Sequence, residues 1–451
     1  MLADYLRIPC LSPAFEESWK DKGYISQAIE LLRSWAEATL GARARVWVSE
    51  VPGRTPALVV DVEASLGRDP GPVCLIYGHL DKQPPLGDWG EGLGPFAPVG
   101  RADRLFGRGA ADDGYAIFAA IGAIEAAAAG EGHQRCIVLI EASEESGSPD
   151  LSAHLDALAG DLENCDLVVC LDSGCISYDR LWATTSLRGL ISGTLEVGVL
   201  HSGVHSGTAG GVVPSSFRIA RALLDRLEDP GTGDVRLGEL RGTVPNEVVE
   251  AAAATAAVWS PFSDLAVLQG VELEGNSEED RLLRRNWGPA LEVVGADGIP
   301  QAATAGNVLR PFTKLKLAIR LPPGVDSDLA SDAVARALTG DPPHGATVRW
   351  ELEAAASGWV APRPPQWLSA AVDQASMAAF GNPAGEMGEG GSIPFLHMLT
   401  ERLPQAAMLV TGVLGPDSNA HGVDESLHVP TAQRLTAALS VVLESHGTAT
   451  K

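Results

Sequence analysis

The sequence predicts an α/β protein: a mostly parallel sheet with helices on both faces, plus an inserted, smaller α+β segment. Three observations carry that expectation. Short apolar runs alternate with helical segments through the first third of the chain. In the middle, apolar and polar residues alternate with period two, and after Trp359 the first pattern resumes. At 451 residues the chain exceeds one ordinary core. The expected division is 1–186 and 362–451 for one discontinuous domain and 187–361 for the insertion.

Taken in order, TPALVVDV, PVCLIYGHL, RCIVLIEAS and CDLVVCLDSG are near-continuous apolar runs, as strands buried on both faces require. Helical segments lie at Ile25–Leu40, Asp113–Ala129 and Leu151–Leu158. Such alternation specifies a parallel layer, in which ligands gather at the carboxyl ends of the strands. Further on, SLRGLISGTLEVGVL, TKLKLAIRL and TVRWELEAA alternate in the manner of half-buried strands, with helices Ser216–Leu227 and Asp328–Leu338 between them. Asp229–Ala305 reads as a long connecting segment, helical at Asn246–Ala257 and Asp280–Asn286. Helix Gln366–Phe380, strand AAMLVTG and helix Thr431–Glu444 complete the first domain.

Composition narrows the partners. Lys+Arg 33 against Asp+Glu 58 gives a net charge of −25. That balance repels nucleic-acid phosphates and anionic lipid, so neither nucleic acid nor membrane is an expected partner. Clustered carboxylates are instead what divalent ions require. MLADYLRIPCLSPAF has no basic n-region or long apolar stretch, so no signal peptide is expected there. The 6 cysteines form no CxxC pair and read as reduced, buried thiols, which suggests the cytoplasm.

Chemistry-bearing residues recur at the strand ends. In GHLD, His79 and Asp81 share a face of extended backbone, so Asp81 can accept the second imidazole N–H. GRGAADDGYA sets Asp112 and Asp113 at a helix start, where an N-cap role would also explain one of them. In IVLIEASEES, Glu144 and Glu145 are adjacent. Side chains alternate along a strand, so the pair cannot duplicate one role; a solvated loop mouth or a nearby cation would each account for it. Asp172 lies in CLDSGC, and His421 lies in the Gly/Asn-rich SNAHG after a later strand. Two imidazoles, several carboxylates and no cysteine form the inventory for two divalent ions sharing a carboxylate. His133, His154, His344, His397, His428 and His446 lack a strand-end carboxylate partner and read as surface or packing residues.

The order GHLD, GRGAADD, EASEESGS, LDSG, SNAHG resembles the M20 family of dinuclear zinc peptidases. That family includes carnosinase-like dipeptidases, the carboxypeptidase-G type and succinyl-diaminopimelate desuccinylase. The resemblance runs from Leu2 to the last helix. It implies a metal-dependent hydrolase that cleaves an amide bond in a short peptide with two zinc ions per subunit; manganese or cobalt would suit the same ligands. His79 and Asp172 would bind one ion, Glu145 and His421 the other, with Asp112 bridging. Glu144 would be the general base and Asp81 would orient His79. The inserted domain would be a lid and dimerisation domain, making a homodimer. His205 of HSGTAGG would stabilise the oxyanion in the partner's site, with His201 of the doubled HSG as runner-up. Asn307 of GNVLRP and Arg320 of LAIRLPP would contact substrate, as would Gly391 and Ser392 of GEGGSIP. An N-acyl-amino-acid deacylase, an amide-forming enzyme, or a non-catalytic binding homologue would share this pattern. The chain departs from the family at Asp113-Gly114-Tyr115, where DDKG is common, and at Gly388, where Arg is common; both bear on substrate preference.

Overall fold

In the computed structural model, which describes residues 1–66, 71–259, 262, 267–391 and 394–449, six strands hydrogen-bond into one main sheet. They are β1 (Ala44–Ser49), β2 (Ala57–Val62), β3 (Val73–His79), β4 (Arg135–Glu141), β5 (Cys165–Cys170) and β6 (Ala407–Val410), in the spatial order β1-β2-β4-β3-β5-β6. The four strands β4, β3, β5 and β6 run parallel, while β2 is antiparallel to both of its neighbours. Every residue of β3 is buried, which explains the apolar run that precedes His79.

Helices cover this sheet. α1 (Tyr24–Leu40) buries Ile25, Ala28, Ile29, Leu32, Ala36 and Leu40, the three- and four-residue spacing of one helical stripe. Each buried Ile or Leu contributes about 1.5–3 kcal/mol. α2 (Ala116–Ala129) is apolar nearly all round and correspondingly buried, packed between the sheet and α4 (Val429–Ala449), which also meets α3 (Gln366–Phe380). α2 begins at Ala116, not at Asp113 as the sequence suggested, because both aspartates are engaged elsewhere.

The chain forms two compact units: Met1–Thr185 with Ala361–Met387 and Phe395–Lys451, and Ser186–Val360 with Gly388–Pro394. The second contains a four-stranded antiparallel sheet in the order Ala290–Asp297, Phe312–Leu321, Gly189–Gly198, Thr347–Ala356. Ile191, Leu195 and Val197 alternate toward helices Ser216–Leu224 and Ser327–Thr339, which cover one face. The edge strand Ala290–Asp297 lies within the stretch read as a connection. Its consecutive Val293 and Val294 are both exposed and the register shifts between Val293 and Gly295, so it lacks the period-two signal. All six cysteines are buried and free. Among the described residues, no helix is long and apolar enough to cross a membrane.

Candidate metal centre

Three parallel strands of the first unit bring their carboxyl ends to one edge. Register pairs His79 with Glu141 and Tyr77 with Cys170. The residues just beyond the strand ends are therefore gathered together: Asp81 after β3, Glu144 and Glu145 after β4, Asp172 after β5. Asp112 occupies the middle of the group. Its Oδ1 lies 3.1 Å from His79 Nε2 and its Oδ2 lies 2.9 Å from His421 Nε2. Asp172 Oδ1 is 3.9 Å from His79 Nε2, and Glu145 Oε2 is 3.2 Å from His421 Nε2. Two groups result, His79–Asp112–Asp172 and Asp112–Glu145–His421, with the donor atoms of each within 4.8 Å of one another.

These residues fit a pair of divalent ions. Every donor is an imidazole nitrogen or carboxylate oxygen, the set that zinc, manganese and cobalt accept. Charge points the same way. Burial disfavours a charged ring at His79, yet Asp172, Asp112 and Asp81 raise its pKa well above the imidazole norm. Hydrogen bonds to Asp112 and Glu145 raise His421 to about 10. Asp112 is buried but held well below the usual carboxylate range by His421 and His79. Burial followed by Asp172 pushes Glu144 well up, and burial followed by Asp112 raises Glu145. The carboxylates thus outnumber the positive groups that neutralise them, and a bound cation corrects that excess.

Local structure explains how each group is held. β4 ends at Glu141, and Glu144–Ser146 form a 3-10 turn beyond it. Strand alternation therefore does not separate the two glutamates, contrary to the sequence argument. The turn does so, anchored by Asp81: Oδ1 accepts the Glu144 N–H at 3.1 Å and Oδ2 the Glu145 N–H at 3.0 Å. Gln83 Nε2 donates to Glu145 Oε2 at 2.6 Å. The Nδ1 side of His79 faces the Asp81 carbonyl oxygen at 3.1 Å, closer than that residue's carboxylate at 3.5 Å. That contact leaves Nε2 for the metal position.

Asp113 turns away from Asp112. Its Oδ2 accepts the His79 backbone N–H at 3.2 Å, and burial together with Asp172 raises its pKa well above normal. Neither aspartate caps a helix. Gly78 makes room for this arrangement, since a Cβ there would lie 2.6 Å from both Ala116 Cβ and Asp113 Oδ2.

The remaining sequence-selected residues belong to the second unit. Val204–His205 pairs with Val308–Leu309, and the Ser206 N–H donates to the Asn307 carbonyl at 2.8 Å, so His205 and Asn307 are neighbours. His205 is exposed and its Nδ1 accepts the Gly207 N–H at 3.1 Å, which leaves Nε2 as the donor. His201 is exposed on the preceding turn. Arg320 sits on strand Phe312–Leu321 opposite Leu190 and Ala290, and burial lowers its pKa. Arg188 is pushed down to about 10 by burial and by the neighbouring charges of Arg320 and Arg285. Arg188 also donates from Nε to Gly390 O and from Nη1 to Gly288 O, both at 3.2 Å. Gly391 is exposed with open space around it. Ser392 lies outside the described residues.

Several residues went unread in the sequence. Gln83, Arg188, and the buried pair Arg108 and Glu425, 2.7 Å apart, are the main ones. Glu141 is another: burial raises it to about 7 against hydrogen bonds from Tyr77 and Ser148. The available signal was proximity, since Arg108 precedes Asp112 by four positions and Glu425 comes four after His421.

Residues 75–445 match the profile of peptidase family M20/M25/M40. A cysteinylglycine-S-conjugate dipeptidase of Corynebacterium striatum is 26% identical over 403 residues, covering 86% of this chain and 84% of the relative. A Beta-Ala-His dipeptidase of Homo sapiens is 26% identical over 378 residues, covering 81% and 73% respectively. Among solved structures, the M20 family metallo-carboxypeptidase Sso-CP2 from Sulfolobus solfataricus superposes with a TM-score of 0.81 at 18% identity, covering 99% of this chain and 98% of that one. At that identity the likeness is one of fold.

Proposed function

Because the chain belongs to peptidase family M20/M25/M40, we propose that it cleaves the amide bond of dipeptides using two divalent ions. The observation that carries this reading is Asp112, which faces a different imidazole with each oxygen, at 3.1 and 2.9 Å. His79, Asp112 and Asp172 would hold one ion; Asp112, Glu145 and His421 would hold the other. Zinc is the first candidate for this nitrogen and oxygen set, with manganese and cobalt next. When bound, the ions supply Lewis acidity and a water acidic enough to lose a proton near neutral pH.

The chain's own residues do the rest. Glu144, next to Glu145 but bound to neither imidazole, takes the proton of the attacking water and delivers it to the leaving amine. In the homodimer His205 donates from Nε2 to the oxyanion in the partner's site; the Gly207 contact to Nδ1 supports that tautomer. Arg320, with Arg188 near it, holds the free carboxylate of the substrate, and Asn307 and Gly391 line its path. The second unit forms the lid and the dimer interface, and the reduced cysteines suit the cytoplasm.

Glu144→Gln and Glu145→Gln test this together, with metal content and turnover of a dipeptide panel measured on each. Glu144→Gln is expected to keep two ions and lose turnover by about 10²–10⁴-fold. Glu145→Gln is expected to lose metal itself. Near-full activity in Glu144→Gln would overturn the base assignment, and activity confined to N-acyl amino acids would move the substrate class.

A further inference from the structure

Arg108 and Glu425 form an ion pair that is 1% and 0% exposed. Burying such a pair is costly, and apolar residues of similar volume often stabilise a fold as well or better. What this pair touches suggests why it is there. Glu425 Oε2 accepts from Arg108 Nη1 at 2.7 Å and from the Gly109 N–H at 3.1 Å. Its Oε1 accepts from the Ala111 N–H at 3.2 Å and from the N–H of Asp112 itself at 3.3 Å. In the opposite direction, Arg108 Nη2 donates to Gly422 O at 2.6 Å, one residue beyond His421, and to Pro84 O at 3.4 Å. The Gly107 N–H closes the set on Glu425 O at 3.0 Å.

The pair thus joins segment 107–112 to segment 421–425 at the two residues whose side chains meet at 2.9 Å in the candidate metal centre. The short antiparallel ladder of Arg104–Phe106 with Ser426–His428 joins the two stretches next door but stops before either segment. His421 lies in a loop with positive φ at Asp417, Asn419, His421 and Asp424. That loop is also held by its own turns, by the Gly90 N–H on Asp424 Oδ1 at 2.8 Å, and at its start by Arg104 and Tyr178, which donate to the carbonyls of Pro416 and Asp417. We propose that Arg108 and Glu425 are positioning residues whose ion pair sets the separation of Asp112 and His421, and thereby the metal position those two share with Glu145. Through Asp112 the pair also reaches the other position. The proposal rests on the metal-binding reading given above.

The test is metal affinity of the stripped protein. Wild type, Glu425→Gln, Arg108→Gln and the double variant are titrated with Zn²⁺ against a chromophoric chelator, with a thermal melt of each metal-free sample. Each single variant is expected to bind its weaker ion about 10–100-fold less tightly. The double variant should be no worse than the poorer single one, because both remove the same clamp. Arg108→Lys keeps the buried charge should the others fail to fold. It cannot reach Glu425 and Gly422 at once, so a loss of about 10-fold or more is expected there too. Lowered melting with both affinities within twofold of wild type would reduce the pair to fold stability and overturn the proposal. A wild type that binds no ion would instead overturn the metal-binding reading.

Discussion

Asp81→Asn is the most informative single change at the centre. The carboxylate offers one oxygen to the Glu144 N–H and the other to the Glu145 N–H, at 3.1 and 3.0 Å. Asparagine keeps only one acceptor, and its amide nitrogen faces the second N–H. The side chain is 0% exposed, so water does not replace what is lost. An orphaned buried N–H costs about 1–3 kcal/mol. The surviving bond also loses its charge assistance, about half its strength. If that energy is expressed at the metal position shared by Glu145 and His421, affinity falls by about 5–150-fold. The His79 ring contacts the Asp81 carbonyl, which the substitution preserves, so the position containing His79 and Asp172 should change less. Zn²⁺ titration of the metal-free variant against a chelator reads both steps, with His79→Ala and His421→Ala assigning them. Affinity within twofold of wild type at the His421 position would refute the reasoning. So would a larger loss at the His79 position, which would return Asp81 to orienting that ring through its carboxylate.

Three further outcomes are expected. In the metal-free protein the raised His79 and His421 hold protons that the unfolded chain releases above about pH 6.5. Their stabilisation is complete below that pH and is lost as pH rises through the folded values, about 10 for His421. The raised Glu144 and Glu145 act in the same direction from about pH 4.3 upward. Denaturation midpoints of stripped protein should fall from about pH 6 to about pH 9.5 while metal affinity climbs; midpoints that rise would contradict the charge assignment. Gly78→Ala places a Cβ 2.6 Å from Asp113 Oδ2 and Ala116 Cβ and should cost about 1–3 kcal/mol or more in denaturant titration. Gly160→Ala has open space and serves as the control, expected within about 0.5 kcal/mol of wild type. Arg320→Ala should raise KM about 10–150-fold for dipeptides with a free carboxylate, from about 1.5–3 kcal/mol of charge-assisted bonding. C-terminally amidated dipeptides should be unaffected, and equal effects on both would remove Arg320 from carboxylate binding.

Local pattern by itself determined the buried strands of the main sheet and the inventory of the centre. PVCLIYGHL and RCIVLIEAS are apolar because β3 and β4 are buried on both faces, and that condition is written in every residue of the run. Parallel strands then dictate that the residues at their carboxyl ends meet, so His79, Asp172 and the glutamates could be grouped before any coordinates. The tertiary structure decided the contacts within that group. It turned Asp112 toward both imidazoles and Asp113 toward the His79 backbone, moved Glu144 and Glu145 off the strand into a turn, and gave the Asp81 carboxylate to two N–H groups. It also set Glu425 against the amide of Ala111, 314 positions away in the chain. Periodicity reports which face a residue presents to its own element. Hydrogen bonds between irregular loops depend on where distant segments arrive, and no local period encodes that.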